Sequence, residues 1–178
     1  QYTNLNAAGS GLSELPDFLT VKNLNIIDCP ISSLPEHLKG DYIDASKTQI
    51  TEIPSTIQSY YLNLDSTKIT TIPSGIHVNI LSVRNSPVKI IHYSEHLNEI
   101  LVDTNVQFIH PDLPNKIIKG LTNNAINKAK SRYIKAYKKI KMNRDMQTKN
   151  TPKTSFKKKP GILKEIFDNS EILKIGYK

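Results

Sequence analysis

Apolar and polar positions recur along residues 12–87 with a constant period of 19 residues. Three consecutive units, residues 31–49, 50–68 and 69–87, align without a gap, and residues 12–30 precede them with the same spacing. A Leu-Pro or Ile-Pro pair marks the same place in every unit, at Leu15-Pro16, Leu34-Pro35, Ile53-Pro54 and Ile72-Pro73. This fixed period predicts a solenoid, because one unit cannot bury its own apolar face and must stack on its neighbours.

Each unit contains a short alternating segment that predicts a β-strand with one buried face. Side chains two residues apart on a strand point to the same side of a sheet. The alternating apolar pairs are Leu24 and Ile26, Ile43 and Ala45, Leu62 and Leu64, and Leu81 and Val83. One strand per unit predicts a parallel sheet, and seven strands at about 4.8 Å spacing would make it about 29 Å long.

A small polar residue or a cysteine follows the strand of each unit and predicts an internal ladder. In a leucine-rich repeat this position turns the chain off the strand and bonds backbone groups of the turn. The predicted ladder consists of Ser10, Cys29, Thr48, Thr67, Ser86, Thr104 and Asn123. The unit of residues 88–105 is one residue short, which leaves open whether Ile100 or Leu101 enters the core.

The repeats resemble the short leucine-rich repeats of bacterial secreted effectors, which carry a similar Leu-Pro-x-x-Leu signature, and those of some viral proteins. The resemblance covers about residues 2–125. We therefore expect an α/β-type solenoid, a right-handed leucine-rich-repeat stack with a concave parallel β-sheet and a mostly irregular convex side. Some of those effectors also carry a ubiquitin-ligase domain, but the rest of this chain is too short for one.

The outward-facing positions of the predicted strands form columns on the concave face. Tyrosine and arginine beside carboxylates and amides are typical of protein-binding hot spots. The alternative is that aromatic cross-strand neighbours merely cover the sheet. The predicted partner-binding residues are Tyr42, Tyr61, Ile80, Asp44, Asn63, Asp65 and Arg84.

Charge divides the chain at residue 125. Residues 1–125, the predicted solenoid, carry 8 basic and 12 acidic side chains, whereas residues 126–178 carry 16 basic and 4 acidic ones, so the overall charge of +8 comes from the second part. Apolar residues at intervals of three and four predict a basic amphipathic helix over residues 126–146 that caps the last repeat. Residues 147–178 predict a basic linker and a short C-terminal helix.

The lysine-rich part of the chain leaves several partners open. Lysines bind nucleic-acid phosphates without sequence preference, acidic protein patches and, as a less favoured alternative, anionic membrane surfaces. A solvated tail that only solubilises the protein is the remaining interpretation. The predicted contact residues are Lys135, Lys138, Lys139, Lys141, Lys157, Lys158 and Lys159.

Candidate enzymatic motifs lack the structural context that their chemistry needs. His92-Tyr93-Ser94-Glu95-His96 matches the H-x-x-E-H pattern of zinc metalloproteases, in which a helix places both histidines on zinc. This segment falls in a predicted return loop, so we expect solvated loop residues, no catalytic residues, and neither a metal nor a cofactor. Cys29 is the only cysteine, which excludes an intramolecular disulfide and favours a reducing compartment such as host cytoplasm, or a virion.

Two functions are therefore expected from the sequence. The first is a non-enzymatic protein-protein interaction module that binds a macromolecular partner on its concave face, with the cationic tail as a second contact. The alternative is a structural or virion-associated protein whose basic tail binds nucleic acid or an acidic assembly partner. Because the chain begins at Gln1, we also expect a processed or trimmed chain or a fragment, and the oligomeric state stays open.

Overall fold

The protein is a solenoid of parallel strands, with about 6 turns spaced by about 19 residues and one C-terminal helix, in the computed structural model of the chain. The structure describes residues 2–149, with side chains from residue 3 to residue 143. Most of the predicted linker and C-terminal helix, including Lys157, Lys158 and Lys159, lies outside the described residues. The predicted parallel-strand solenoid is confirmed.

Seven parallel strands, which bound the roughly six turns of the coil, form what we call the long sheet. Its register places equivalent repeat positions side by side, so Leu24 pairs with Ile43, Ile43 with Leu62, and Leu62 with Leu81. The constant unit length explains this alignment, because each turn returns the chain to the same place. The strands, in spatial order, are β1 (Tyr2–Asn6), β2 (Thr20–Asn25), β3 (Lys39–Asp44), β4 (Gln58–Asn63), β6 (His77–Ser82), β8 (Glu99–Leu101) and β10 (Ile118–Lys119).

Three two-residue strands on the returning side of the coil form a second parallel sheet, the short sheet. They are β5 (Thr71–Ile72), β7 (Ile90–Ile91) and β9 (Phe108–Ile109). Ile91 and Ile109 belong to the main core, whereas Ile90 and Phe108 belong to a separate cluster. The sequence predicted a mostly irregular convex side, and the short sheet shows that this side is regular in its C-terminal repeats.

The main core is built from columns of apolar side chains, one from each turn. Leu24, Ile43, Leu62, Leu81 and Ile100 form one such column, and each is at most 2% exposed. Burying a side chain of this kind stabilises the fold by about 1.5–3 kcal/mol before the conformational entropy cost is counted. Stability therefore depends on contacts between neighbouring turns.

The short unit of residues 88–105 keeps its strand in register. Ile100 pairs with Leu81 and is fully buried, while Leu101 is half-buried, which settles the ambiguity left by the sequence. The missing residue falls instead in the following turn, where Val106 comes 18 residues after Val88. In that turn Thr104 is exposed, so its predicted ladder role is wrong.

The inner ladder is formed by the four complete units. The side chains at the ladder positions are buried, and each donates a hydrogen bond to a backbone carbonyl group. The donor to acceptor distances are 2.9 Å from Cys29 to Ala7, 2.7 Å from Thr48 to Ala45, 2.8 Å from Thr67 to Leu64 and 3.0 Å from Ser86 to Leu64. The predicted first member, Ser10, is exposed, and its Oγ lies 3.7 Å from the Cys29 Sγ.

A 3₁₀ turn (Asn115–Ile117) and the tight turn at Gly120 lead from the last repeat into the helix α1 (Asn123–Lys149). Gly120 has φ +97°, and a Cβ there would lie 1.8 Å from the Val102 carbonyl oxygen, so only glycine fits. The Thr122 Oγ1 accepts a hydrogen bond from the Ala125 N–H at 3.2 Å and caps the helix. Asn123 therefore begins the helix, and its predicted ladder role is wrong.

The helix covers two different parts of the solenoid. Ile126 and Ala129 join the main core, while Tyr133, Ala136 and Ile140 pack with Ile90 and Phe108 of the short sheet. The apolar residues at intervals of three and four on which the predicted helix rests are Ile126, Ala129, Tyr133, Tyr137 and Ile140, with Ile134 beside them. Of these, Ile134 is 39% exposed and Tyr137 is half-buried. Within residues 2–149, no helix has both the length and the apolar character needed to cross a membrane.

Candidate functional site

The outer face of the long sheet carries the predicted aromatic column. Register places Tyr42 beside Tyr61, and Tyr61 beside Ile80. Tyr42 is 52% exposed, whereas Tyr61 and Ile80 are half-buried. The two tyrosine rings lie 6.2 Å apart, centroid to centroid, and are tilted by 38°. The structure thus brings these three predicted residues together on one surface.

A third tyrosine on this surface was missed from the sequence. Tyr60 is 51% exposed, and its ring meets Tyr42 edge-on at 6.0 Å. Strict alternation places Tyr60 inside, but the buried residues of β4 are Ser59 and Leu62, which leaves both tyrosines outside. The signal was present in the neighbouring units, where Val21 and Leu24, and Val78 and Leu81, are apolar pairs spaced by three residues.

A groove of about 350 Å³ runs along the N-terminal half of this face. Amide side chains of β1 and β2 line one part of it, and the Asn23 Nδ2 donates a hydrogen bond to the Asn4 Oδ1 at 2.6 Å. Tyr42 and Tyr61 line the other part. The groove therefore joins aromatic rings to groups that donate and accept hydrogen bonds, a combination suited to a polypeptide.

Two of the predicted contact residues also terminate their strands. The Asp44 Oδ1 accepts a hydrogen bond from the Ser46 N–H at 3.0 Å, and the Asn63 Oδ1 accepts one from the Asp65 N–H at 3.0 Å. The Asn63 Nδ2 donates to the Asp44 Oδ2 at 3.1 Å, so this column links adjacent repeats. These Asx-type bonds favour the turn that follows each strand.

Asp65 and Arg84 form the polar edge of the same face. Asp65 accepts hydrogen bonds from the Ser82 hydroxyl at 2.6 Å, the Arg84 N–H at 2.7 Å and the Arg84 Nε at 3.2 Å. The Asp65 side chain is 18% exposed and that of Arg84 is 53% exposed. Asp65 thus has a structural role, while the guanidinium keeps an open side toward solvent.

The Tyr61 hydroxyl remains protonated across the neutral range. Burial raises the pKa of Tyr61, and the carboxylates of Asp65 and Asp44 raise it further because they disfavour a second negative charge. The phenol therefore keeps its proton and acts as a hydrogen-bond donor on this face.

Four of the lysines predicted to contact a partner lie within the described residues, along α1. Lys135, Lys138, Lys139 and Lys141 are all exposed. Residues 126–143 contain 7 basic side chains and no acidic one. A positive surface therefore extends along the solvent side of the helix.

The two histidines of the H-x-x-E-H segment do not come together in one site. His92 is only 3% exposed, and its Nδ1 lies 2.9 Å from the Tyr133 hydroxyl oxygen. His96 is exposed, with its ring 4.1 Å from that of His77. The expectation of solvated loop residues is thus wrong for His92 and also for Ser94, which is buried and donates a hydrogen bond to the Ile76 carbonyl oxygen at 2.6 Å. Among the residues that the structure describes, no three histidine, cysteine or carboxylate side chains come together to hold a metal.

The chain was compared with protein-family models, with curated proteins and with solved structures, and none of the three comparisons finds a match.

Proposed function

We propose that this protein is a non-enzymatic interaction module, a right-handed leucine-rich-repeat solenoid that binds another protein on the outer face of its long sheet. The observation that carries the proposal is the column of Tyr42, Tyr61 and Ile80 beside the groove. Tyr42 is half exposed on the outer face of the long sheet, where it adds little to the core. Tyrosine gives a large contact area with few rotatable bonds, which makes it effective at interfaces.

The chemistry of the face favours an extended protein segment as the partner. The tyrosine rings would cover an apolar or aromatic side chain, and the Tyr61 phenol would donate a hydrogen bond to it or to its backbone. The asparagine amides of β1 and β2 match the donors and acceptors of a peptide backbone. The open side of the Arg84 guanidinium favours a carboxylate at one end of that segment.

Selection of peptides from a random displayed library on the immobilised full chain tests this proposal. We expect enriched peptides to bind the wild type and to lose at least about tenfold in affinity to the double variant Tyr42→Ala/Tyr61→Ala, since buried interface aromatics contribute about 2 kcal/mol or more. The matched control is Tyr93→Ala, which removes an exposed tyrosine far from the long sheet. Equal binding by all three proteins would overturn the proposal.

A second candidate function is supported by the positive charge of α1 over residues 126–143. Seven basic side chains and no acidic one within residues 126–143 favour binding to a phosphate backbone. Lysine outnumbers arginine six to one in that stretch, which favours diffuse attraction over the reading of bases. A structural protein held on a nucleic acid or on an acidic assembly partner would use this surface.

Filter binding of the full chain to duplex DNA over a salt series tests the second candidate. We expect affinity to fall steeply with salt and to weaken in Lys135→Glu/Lys139→Glu, because each lost phosphate contact reduces counterion release. The control Lys22→Glu/Lys39→Glu makes the same change of charge on exposed lysines of the long sheet. Equal losses in both variants would point to general charge attraction and exclude a dedicated surface on α1.

A further inference from the structure

A cavity of about 610 Å³ lies between α1 and the return segments that follow β5, β7 and β9. Its volume falls within the range of sites that hold small organic molecules. The walls are mainly apolar and aromatic, with contributions from Ser74, Tyr93, His110, Tyr133 and Ile134. The helix forms one wall of the cavity, where Tyr133 packs with Ile90 and Phe108 of the short sheet.

The rings that line the cavity face it from different directions. The ring of His110 lies 5.6 Å from that of Tyr93 at 48° and 5.1 Å from that of Tyr133 at 72°. His92 lies below them, buried, with its ring 5.8 Å from Tyr133 at 78°. The contact between the His92 Nδ1 and the Tyr133 hydroxyl links the loop to the helix and holds these rings in place.

The polarity of the cavity differs between its floor and its rim. Burial lowers the pKa of His92 to about 4, so its ring is neutral at pH 7 and the floor carries no charge. Lys138 and Lys141 are exposed residues that line the rim, against the single carboxylate of Asp112. Tyr93 and Ile134 are large side chains at the cavity that remain about two-fifths exposed. The excess charge at the rim is therefore positive.

We infer that this cavity binds a small planar aromatic molecule that carries an anionic group. The aromatic ring would lie among Tyr93, His110 and Tyr133, and the anion would face Lys138 and Lys141. Ring stacking favours a planar ligand, and the excess of lysine over carboxylate selects an anion over a cation. This site is separate from the outer face of the long sheet and does not depend on the function proposed there.

The fluorescent probe 8-anilinonaphthalene-1-sulfonate, whose planar naphthalene ring carries a sulfonate, tests the inference on the full chain. We expect saturable binding by the folded protein and a loss of about fivefold in affinity in Tyr93→Ala, from the missing aromatic contact. Tyr60→Ala is the matched control, since Tyr60 is an equally exposed tyrosine on the long sheet. Equal effects of the two substitutions, or no saturable binding by the wild type, would overturn the inference.

The anionic part of the inference has its own test. Lys138→Glu/Lys141→Glu should weaken sulfonate binding about fivefold, since both lysines face the cavity, whereas Lys135→Glu/Lys139→Glu should leave it within about twofold. The neutral analogue N-phenyl-1-naphthylamine should bind more weakly, and its affinity should be the same in the wild type and in both lysine variants. If the neutral analogue binds as tightly as the sulfonate, or if the two lysine pairs act alike, anion selection is contradicted.

Discussion

The two sides of the solenoid core are built in different ways. On the outer face of the long sheet, contacts join positions one repeat apart, as in the hydrogen bond from Asn63 to Asp44. On the side covered by α1, the short sheet also joins positions one repeat apart, but the helix adds contacts that lie outside the repeat. For example, His92 meets Tyr133 across 41 residues of chain. The first side is thus a set of recurring columns, whereas the contacts between α1 and the second side occur only once.

The difference determines how each side can carry a function. A recurring column presents side chains that the next turn supports but does not cover, so the tyrosines of the long sheet are available to a partner. The helix instead buries aromatic and polar groups together and leaves a cavity, partly open to solvent, between the elements. Substitutions should accordingly cost little stability on the first side and much on the second.

The largest expected contrast compares one aromatic residue from each side. Phe108→Ala should lower the free energy of unfolding by about 3–5 kcal/mol, because it opens a void between the short sheet and α1. Tyr42→Ala should change it by only about 0.5 kcal/mol, since that ring is half exposed. Urea denaturation followed by circular dichroism measures both. Comparable losses would show that the outer face of the long sheet is part of the core.

A second contrast uses the pH dependence of stability. The folded-state pKa of His92 lies at about 4, below the ordinary value of 6.5, so the unfolded state takes up the proton first as the pH falls. The free energy of unfolding should therefore decrease between about pH 6.5 and pH 4, by about 3 kcal/mol in total from this group. Burial is the main cause, and the neighbouring His110 adds to it.

Urea denaturation at about pH 7 and about pH 4 checks this expectation in wild type and in His92→Gln. The variant should lose less stability on acidification than the wild type does, because its side chain does not titrate. His37→Gln, which changes an exposed histidine, serves as the control and should follow the wild type. Identical acid dependence in all three proteins would mean that His92 is not buried as described.

The smallest expected contrast lies within one ion pair on the outer face. Asp65→Ala leaves the buried Ser82 hydroxyl and the Arg84 N–H without their acceptor, at a cost of about 1–3 kcal/mol. Arg84→Ala removes only the exposed partner and should cost less than about 1 kcal/mol. Urea denaturation of the two variants measures the loss in the free energy of unfolding for each. A larger cost for Arg84→Ala would assign the structural role to the guanidinium.

Much of the outer face follows from the repeat alone. A constant period places equivalent residues side by side, so the column of Tyr42, Tyr61 and Ile80 is predictable without coordinates. The local rule of alternation was insufficient at Tyr60, because β2, β4 and β6 bury residues at a spacing of three as well. The roles of Asp44 and Asn63 in turns were also missed, since an Asx bond depends on local backbone geometry.

The sequence by itself determined the parallel solenoid, the length of its turns and the columns of its core, because each of these repeats the same local pattern. Only the tertiary structure decided that Ile100 enters the core, that α1 begins at Asn123, and that His92 is buried against Tyr133. The physical reason is that periodicity describes contacts between equivalent positions. Where one element of unique sequence crosses the repeats, its partners are set by packing in three dimensions, and the candidate ligand cavity arises there.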